Sequence, residues 1–124
     1  DVLVANAVTS VLQRAGHVVH READGLAAWS FLQGTHRNFD LAILDVNMPG
    51  LDGIEVAQRL RANLHYAGKI LIISGRLGSD DLGQITEARV DAVLTKPFTP
   101  QELLQAMDAC LSGNAPPPGR HRAP

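Results

Sequence analysis

Apolar positions recur along this chain in two alternating rhythms, helical spacing in some stretches and short continuous or β-branched runs in others. Leu3, Val4, Ala7, Val8, Val11, Leu12 and Ala15 share one helical face, and Gly16 stands where a left-handed C-terminal cap would close the helix. HVVHREA (17–23) is short and partly β-branched, which predicts a strand. Asp24-Gly25 predicts a turn, and LAAWSFLQ (26–33) a helix stopped by Gly34. FDLAILD (39–45) reads as a strand, and Ile54 to Leu64 as a helix with Ile54, Ala57, Leu60 and Leu64 inward. KILIIS (69–74), bounded by Gly75, has the pattern of a strand covered on both faces. Ser79 is placed to cap a helix over 80–88, AVLT (92–95) is a short strand, and Pro97 ends it. Thr99-Pro100-Gln101-Glu102 is a capping box with proline at the first helical position, and Leu103, Leu104, Met107, Cys110 and Leu111 form the stripe of that last helix.

Alternating strands and helices predict an α/β fold, an open parallel sheet with helices on both faces and right-handed crossovers. A chain of 124 residues is long enough for one such domain, assigned to residues 1–112. The Pro/Gly-rich residues 113–124 read as a linker or tail.

A net charge of −2 gives no general attraction to nucleic acid or anionic membrane, and few aromatics are present to stack on bases. No apolar run approaches the ~20 residues that span a bilayer. The single cysteine, Cys110, excludes an internal disulfide and suits a reducing, cytoplasmic compartment. It lies on an apolar stripe and reads as packing, while the five histidines show no metal-ligand spacing.

Open parallel sheets bind ligands beyond the carboxyl ends of their strands. Asp45, Ser74 and Lys96 each fall at or just after such an end, which places all three on one rim. A carboxylate, a hydroxyl and an ammonium group there suit phosphoryl chemistry. The carboxylate can attack phosphorus, the hydroxyl can donate to a phosphoryl oxygen, and the lysine supplies positive charge. Each residue alone has a plainer reading: a turn-forming Asp, a strand-end Ser bonded to its own backbone, a solvated Lys.

ILDVNMPGLDG (43–53), LIISGR (71–76) and LTKPF (94–98) together resemble the receiver domain of bacterial response regulators, at that family's spacing and over about residues 1–112. The resemblance implies a flavodoxin-like (βα)5 fold with strand order 2-1-3-4-5. It implies that Asp45 takes a phosphoryl group from a histidine kinase or histidine phosphotransfer protein. Mg²⁺ would be held by Asp45 and the backbone carbonyl of Asn47, together with an acidic pair that ends the family's first strand. Ser74 matches the hydroxyl that follows the phosphoryl group, and Lys96 the lysine that pairs with it across a cis Lys96–Pro97 bond. Asp52 and Gly53 are read as setting up the next helix. Such a domain promotes its own phosphorylation but has no metabolic substrate, so no enzyme is expected. Its switch would expose a partner face, with a homodimer through residues 80–111 as one outcome.

The sequence departs from that family at three places. Counting back from Ala15-Gly16, Asp1 falls one position after the acidic pair, so the first β-strand, a central one, is missing from the chain as given. The expectation is a fragment of a longer protein, because losing a central strand strips two ladders of their partners. Were the chain complete, the second strand would move beside the third or another chain would fill the gap. Mg²⁺ binding would then be weak or absent, since Asp1 would bring an amino-terminal charge to the metal. Val93 stands where the family has Tyr or Phe, removing aromatic coupling. Ala88-Arg89-Val90 replaces Ala-Gly-Ala, and the expectation is a rebuilt turn, because a left-handed Arg89 would cost roughly 1–2 kcal/mol.

Two alternatives stand beside the phosphoacceptor reading. One is a receiver-like module that takes no phosphate and works through protein contacts alone. The other is a phosphohydrolase of the haloacid-dehalogenase type. That class needs a second acid two residues after the nucleophile, where this chain has Asn47, and a cap domain for which there is no room.

Overall fold

The uninterrupted apolar run at 69–74 becomes the middle of the sheet, as its lack of a polar face requires. In the computed structural model, which describes residues 9–22, 24–47, 50–75 and 78–112, three parallel strands are present. They are β1 (Leu41–Asp45), β2 (Lys69–Ser74) and β3 (Ala92–Thr95), in the order β1-β2-β3. Leu41 pairs with Lys69 and Asp45 with Ile73, while Leu71 pairs with Ala92 and Ser74 with Thr95. The helices are α1 (helical over residues 9–14), α2 (Gly25–Thr35), α3 (Gly53–Ala62), α4 (Ser79–Glu87) and α5 (Pro100–Ser112).

Strand β2 turns alternate residues to opposite sides, and the two halves of the core follow. Ile70 and Ile72 join Leu32 of α2, Ile54, Val56, Ala57 and Leu60 of α3 and Ile85 of α4. Leu71 joins Leu12 of α1 and Leu103, Met107 and Cys110 of α5. Helices therefore cover both faces of an open parallel sheet, as the alternation predicts. The stripe of α5 is narrower than expected. Leu103, Met107 and Cys110 are buried, whereas Leu111 lies off their face and is exposed.

The helix ends follow the sequence signals at Gly16, Asp24 and Thr99 and depart from them at Gly34 and Ser79. Gly16 adopts φ +92°, with Gly16 N–H donating to Gln13 O and His17 N–H to Leu12 O, the paired bonds of a glycine-terminated helix. The expected helical residues 3–8 lie outside the described residues. Asp24 caps α2, its Oδ1 accepting the Ala27 N–H at 2.7 Å. Gly34 does not stop that helix, which runs to Thr35. The hydroxyl of Thr35 donates to Phe31 O and the His36 ring meets Leu32 O, so side chains occupy carbonyls that a break would otherwise expose. At α4 the N-cap is Gly78, not Ser79, and Asp81 reaches back to accept the Gly78 N–H at 2.9 Å. At α5 the capping box forms as read: Glu102 accepts from Thr99 N–H and Thr99 Oγ1 from Glu102 N–H.

Two larger expectations fail. Residues 17–22 form no strand, and Ala23 lies outside the described residues. A strand is defined by its ladder, and none of residues 17–22 pairs with β1, so this segment does not move in beside the third family strand. Val18 is accordingly 98% exposed. Instead the ring of His20 stacks on Phe31 at 3.6 Å between centroids. The turn before β3 is not rebuilt either: Arg89 keeps a left-handed φ of +52°. Its N–H donates to Thr86 O and its carbonyl accepts from Arg61 Nη2 at 2.9 Å, so bonds on both sides hold the strained residue.

Arg61 ties together the end of the sheet opposite the carboxyl rim. Its guanidinium donates to the carbonyls of Tyr66, Gly68, Ala88 and Arg89 and to Asp91 Oδ2. Asp91 Oδ2 in turn accepts the Ile70 N–H at 2.8 Å. One side chain of α3 thus joins the starts of β2 and β3 to the end of α4. Burial holds its pKa below the usual arginine value, opposed by the Asp91 carboxylate.

Candidate functional site

Asp45 is the last residue of β1, so its side chain leaves the sheet at the carboxyl rim. The backbone there is stitched beyond the regular ladders: Val46 N–H donates to Ile73 O at 2.9 Å and Lys96 N–H to Ser74 O at 2.8 Å. Those two bonds draw the segments after β1 and β3 toward the tip of β2. Lys96 Nζ then reaches Asp45 Oδ2 at 2.7 Å, and the backbone N–H of Asn47 donates to Asp45 Oδ1 at 2.9 Å. Both carboxylate oxygens are engaged, one by an ammonium group and one by an amide of the acceptor's own turn. The Lys96–Pro97 peptide is cis, as the resemblance implies.

The two charged side chains remain partly open, with 33% of Asp45 and 29% of Lys96 accessible. Water screens the pair, so its electrostatic contribution to stability is small. Its value lies in holding opposite charges at a place a ligand can enter. Ser74 occupies the central tip but is only 1% exposed. The structure thus brings Asp45 and Lys96 into contact, and it sets Ser74 between them on the strand below the rim. Asn47 is exposed, and what it contributes to Asp45 is an N–H, a donor that the residue types did not reveal.

For a divalent cation the donors are of the right kind but too few. Mg²⁺ takes octahedral oxygen ligands, commonly one or two carboxylates with the remainder water or substrate oxygen. Asp45 and the carbonyl of Asn47 are hard oxygen donors, yet among the described residues no group of three His, Cys, Asp or Glu converges on one point. Asp1 lies outside the described residues. The described residues by themselves do not make a complete cation site.

Asp52 and Gly53 start α3, as read. Asp52 Oδ1 accepts the Glu55 N–H at 2.9 Å, and Glu55 Oε1 accepts the Asp52 N–H at 3.4 Å. Cys110 is buried, and burial pushes its thiol up to about 11, so it is a packing residue rather than a nucleophile. Val93 is half-buried opposite Ile72 and packs on the same half of the core as α4. No described helix is long and apolar enough to cross a membrane.

The family model described as "Response regulator receiver domain" matches residues 1–108. The chain is 33% identical over 104 residues to the heme response regulator HssR of Staphylococcus epidermidis, covering 84% of this chain and 45% of that protein. It is 36% identical over 115 residues to the transcriptional regulatory protein TcrA of Mycobacterium tuberculosis, covering 90% of this chain and 44% of that one. The chain therefore spans less than half the length of these curated relatives. Among solved structures, the chemotaxis protein CheY4 of Vibrio cholerae superposes with a TM-score of 0.80 at 29% identity, covering 90% of this chain and 92% of that chain.

Proposed function

The chain belongs to the response regulator receiver domain family, and from that premise we propose that it accepts a phosphoryl group on Asp45 from a histidine kinase or histidine phosphotransfer protein. The observation that carries this reading is the 2.7 Å contact between Lys96 and Asp45 at the open carboxyl rim of the sheet. A carboxylate held there is a nucleophile already paired with the charge that its product will need. In the step, a carboxylate oxygen of Asp45 forms a bond to phosphorus as the phosphorus–nitrogen bond of the donor's phosphohistidine breaks. The imidazole leaves with the electron pair of that bond and takes up a proton. Lys96 stays with the new phosphoryl oxygens, and the Ser74 hydroxyl turns toward them from its buried position.

Divalent-cation dependence belongs to the same reading, with Asp45 and the Asn47 carbonyl as two ligands and further carboxylates required. When bound, the cation neutralises phosphoryl oxygens. The added charge then biases the rim loops and the surface of residues 80–111, where Leu82 and Leu111 are exposed. A homodimer through that face, a cytoplasmic location and the assignment of residues 113–124 to a linker are part of the proposal. The intact Asp45–Lys96 pair argues against a module that works through protein contacts alone. Family membership leaves the phosphohydrolase alternative without support.

The test is incubation of the full-length protein with Mg²⁺ and acetyl phosphate, followed by mass spectrometry, beside Asp45→Asn. A mass gain of one phosphoryl group in the wild type and none in the variant is expected. An equal gain in both removes Asp45 from the role.

A further inference from the structure

Two helices begin directly on the backbone of the loop that follows Asp45, and each does so through a glycine. A Cβ built on Gly53, the first residue of α3, would stand 2.6 Å from the carbonyl oxygen of Asp45 and 2.8 Å from its carbonyl carbon. A Cβ on Gly25, the first residue of α2, would stand 1.8 Å from the carbonyl oxygen of Leu51. Both glycines are buried. The atoms in the way are main chain, so no change of rotamer can clear them. Between the two contacts Gly50, at φ +80°, packs its Cα side against Leu26 of α2. The peptide of Asp45 and the far end of its loop are therefore each pressed by a helix terminus that carries no side chain.

We propose that Gly53 is a positioning residue for Asp45, with Gly25 as its counterpart at Leu51. The peptide of Asp45 is held from two sides. Its neighbour Val46 is tied to β2 through Ile73 O, and α3 closes on its carbonyl through Gly53. Helix α3 is not free to slide away, because Ile54, Val56, Ala57 and Leu60 pack into the core against β2 and Arg61 ties its far end to the starts of β2 and β3. A methyl group on Gly53 would therefore push the Asp45 peptide by roughly 0.8 Å to restore an ordinary carbon–oxygen contact. The carboxylate makes bonds of 2.7 and 2.9 Å to Lys96 and Asn47, and hydrogen bonds of that length tolerate little displacement. The proposal deepens the phosphoacceptor reading and, for its kinetic consequence, rests on it. Its geometric content stands without it.

The test places Gly53→Ala and Gly25→Ala in the full chain on a Gly83→Ala background, whose added methyl meets nothing within 4 Å. Ile85→Val in the same background, a core change away from the rim, serves as the control for lost stability. Two readouts are taken below the unfolding transition: the amide resonance of Asn47, which reports its bond to Asp45, and the rate of phosphorylation by acetyl phosphate. Gly53→Ala is expected to move the Asn47 resonance and slow phosphorylation on the order of tenfold to a hundredfold. Gly25→Ala should do the same to a smaller degree, and Ile85→Val should leave both as in the parent. An unmoved Asn47 resonance in Gly53→Ala, or equal effects in Ile85→Val, overturns the proposal. So does failure of Gly53→Ala to fold in this background, since the glycine would then serve the fold rather than the aim of the acceptor. If the parent takes up no phosphoryl group, the acceptor reading falls while the Asn47 resonance still decides the role of Gly53.

Discussion

Lys96 Nζ lies 2.7 Å from Asp45 Oδ2, a contact that passes over the tip of β2 to join two strands with no ladder between them. The sheet order makes this possible, because a lysine just past β3 needs its full length to reach a carboxylate at the end of β1.

Replacing Lys96 should separate function from stability. The pair is partly solvated, so Lys96→Ala should change the unfolding free energy by no more than about 1 kcal/mol. The rate of Asp45 phosphorylation by a small donor should fall by roughly tenfold or more. Lys96→Arg should not restore it fully, since a planar fork cannot replace a compact ammonium group. Urea titration and timed mass spectrometry read the two quantities, and a large stability loss with unchanged phosphorylation would reverse the assignment.

Arg61 should behave in the opposite way. Truncation to Ala takes the guanidinium donor from four backbone carbonyls and leaves Asp91 with the Ile70 N–H and Lys69, and is expected to cost about 3–5 kcal/mol. Lys would recover only part of this, because three rotating donors cannot satisfy five acceptors in the plane of a guanidinium group. Chemical denaturation of the two variants checks the order wild type, Lys, Ala.

Backbone strain makes a third case. Arg89 holds φ +52°, and Arg89→Gly should stabilise the fold by about 0.5–1 kcal/mol, less whatever the more flexible unfolded chain takes back. Gly83 is the mirror image, a helical glycine in open space within α4. Gly83→Ala should add about 0.5–1 kcal/mol through helix propensity alone. A thermal melt of each variant suffices, and a lowered midpoint for either would contradict the local geometry.

Alkaline pH should lower the stability of the fold over two overlapping ranges. Burial pushes the Cys110 thiol up to about 11 and the Tyr66 phenol up to about 12. Both groups are protonated and neutral in the folded state, while the unfolded chain releases its protons near the ordinary values of 9 and 10. Their stabilisation is therefore complete below about pH 9 and is lost as pH rises through the folded values. The full effect is on the order of 2–3 kcal/mol for each group. Urea unfolding between pH 8 and pH 12 measures the slope. Cys110→Ala should remove the part that begins near pH 9, at the separate price of a small cavity.

Much of this protein was legible in its sequence because the signals are local. Periodicity placed β2 and β3 to the residue, and the cap chemistry at Thr99 and Glu102 set the start of α5. Local reasoning misjudged Gly34, where side chains of Thr35 and His36 sustain a helix that a lone glycine was expected to end. It misjudged Ser79, one residue inside a helix whose cap is a glycine answered by Asp81. Leu111 was counted in a stripe that curves away from it. The strand expected at 17–23 failed for a different cause. Its composition suits an extended chain, but a strand also needs a neighbour, and β-branched residues do not announce one.

The sequence by itself determined the class of fold, the three strand ends that carry Asp45, Ser74 and Lys96, and the family. These follow from residue type and spacing, which act over a few positions at a time. Only the tertiary structure decided which of those groups touch, that Ser74 is buried, that Asn47 offers its amide, and that Arg61 rather than a glycine steadies the turn at Arg89. It alone showed Gly53 and Gly25 pressed against main-chain carbonyls. Such relations depend on contacts of about 2 to 3 Å set by how whole elements pack, some across dozens of residues, where close packing decides the outcome and residue type alone does not record it.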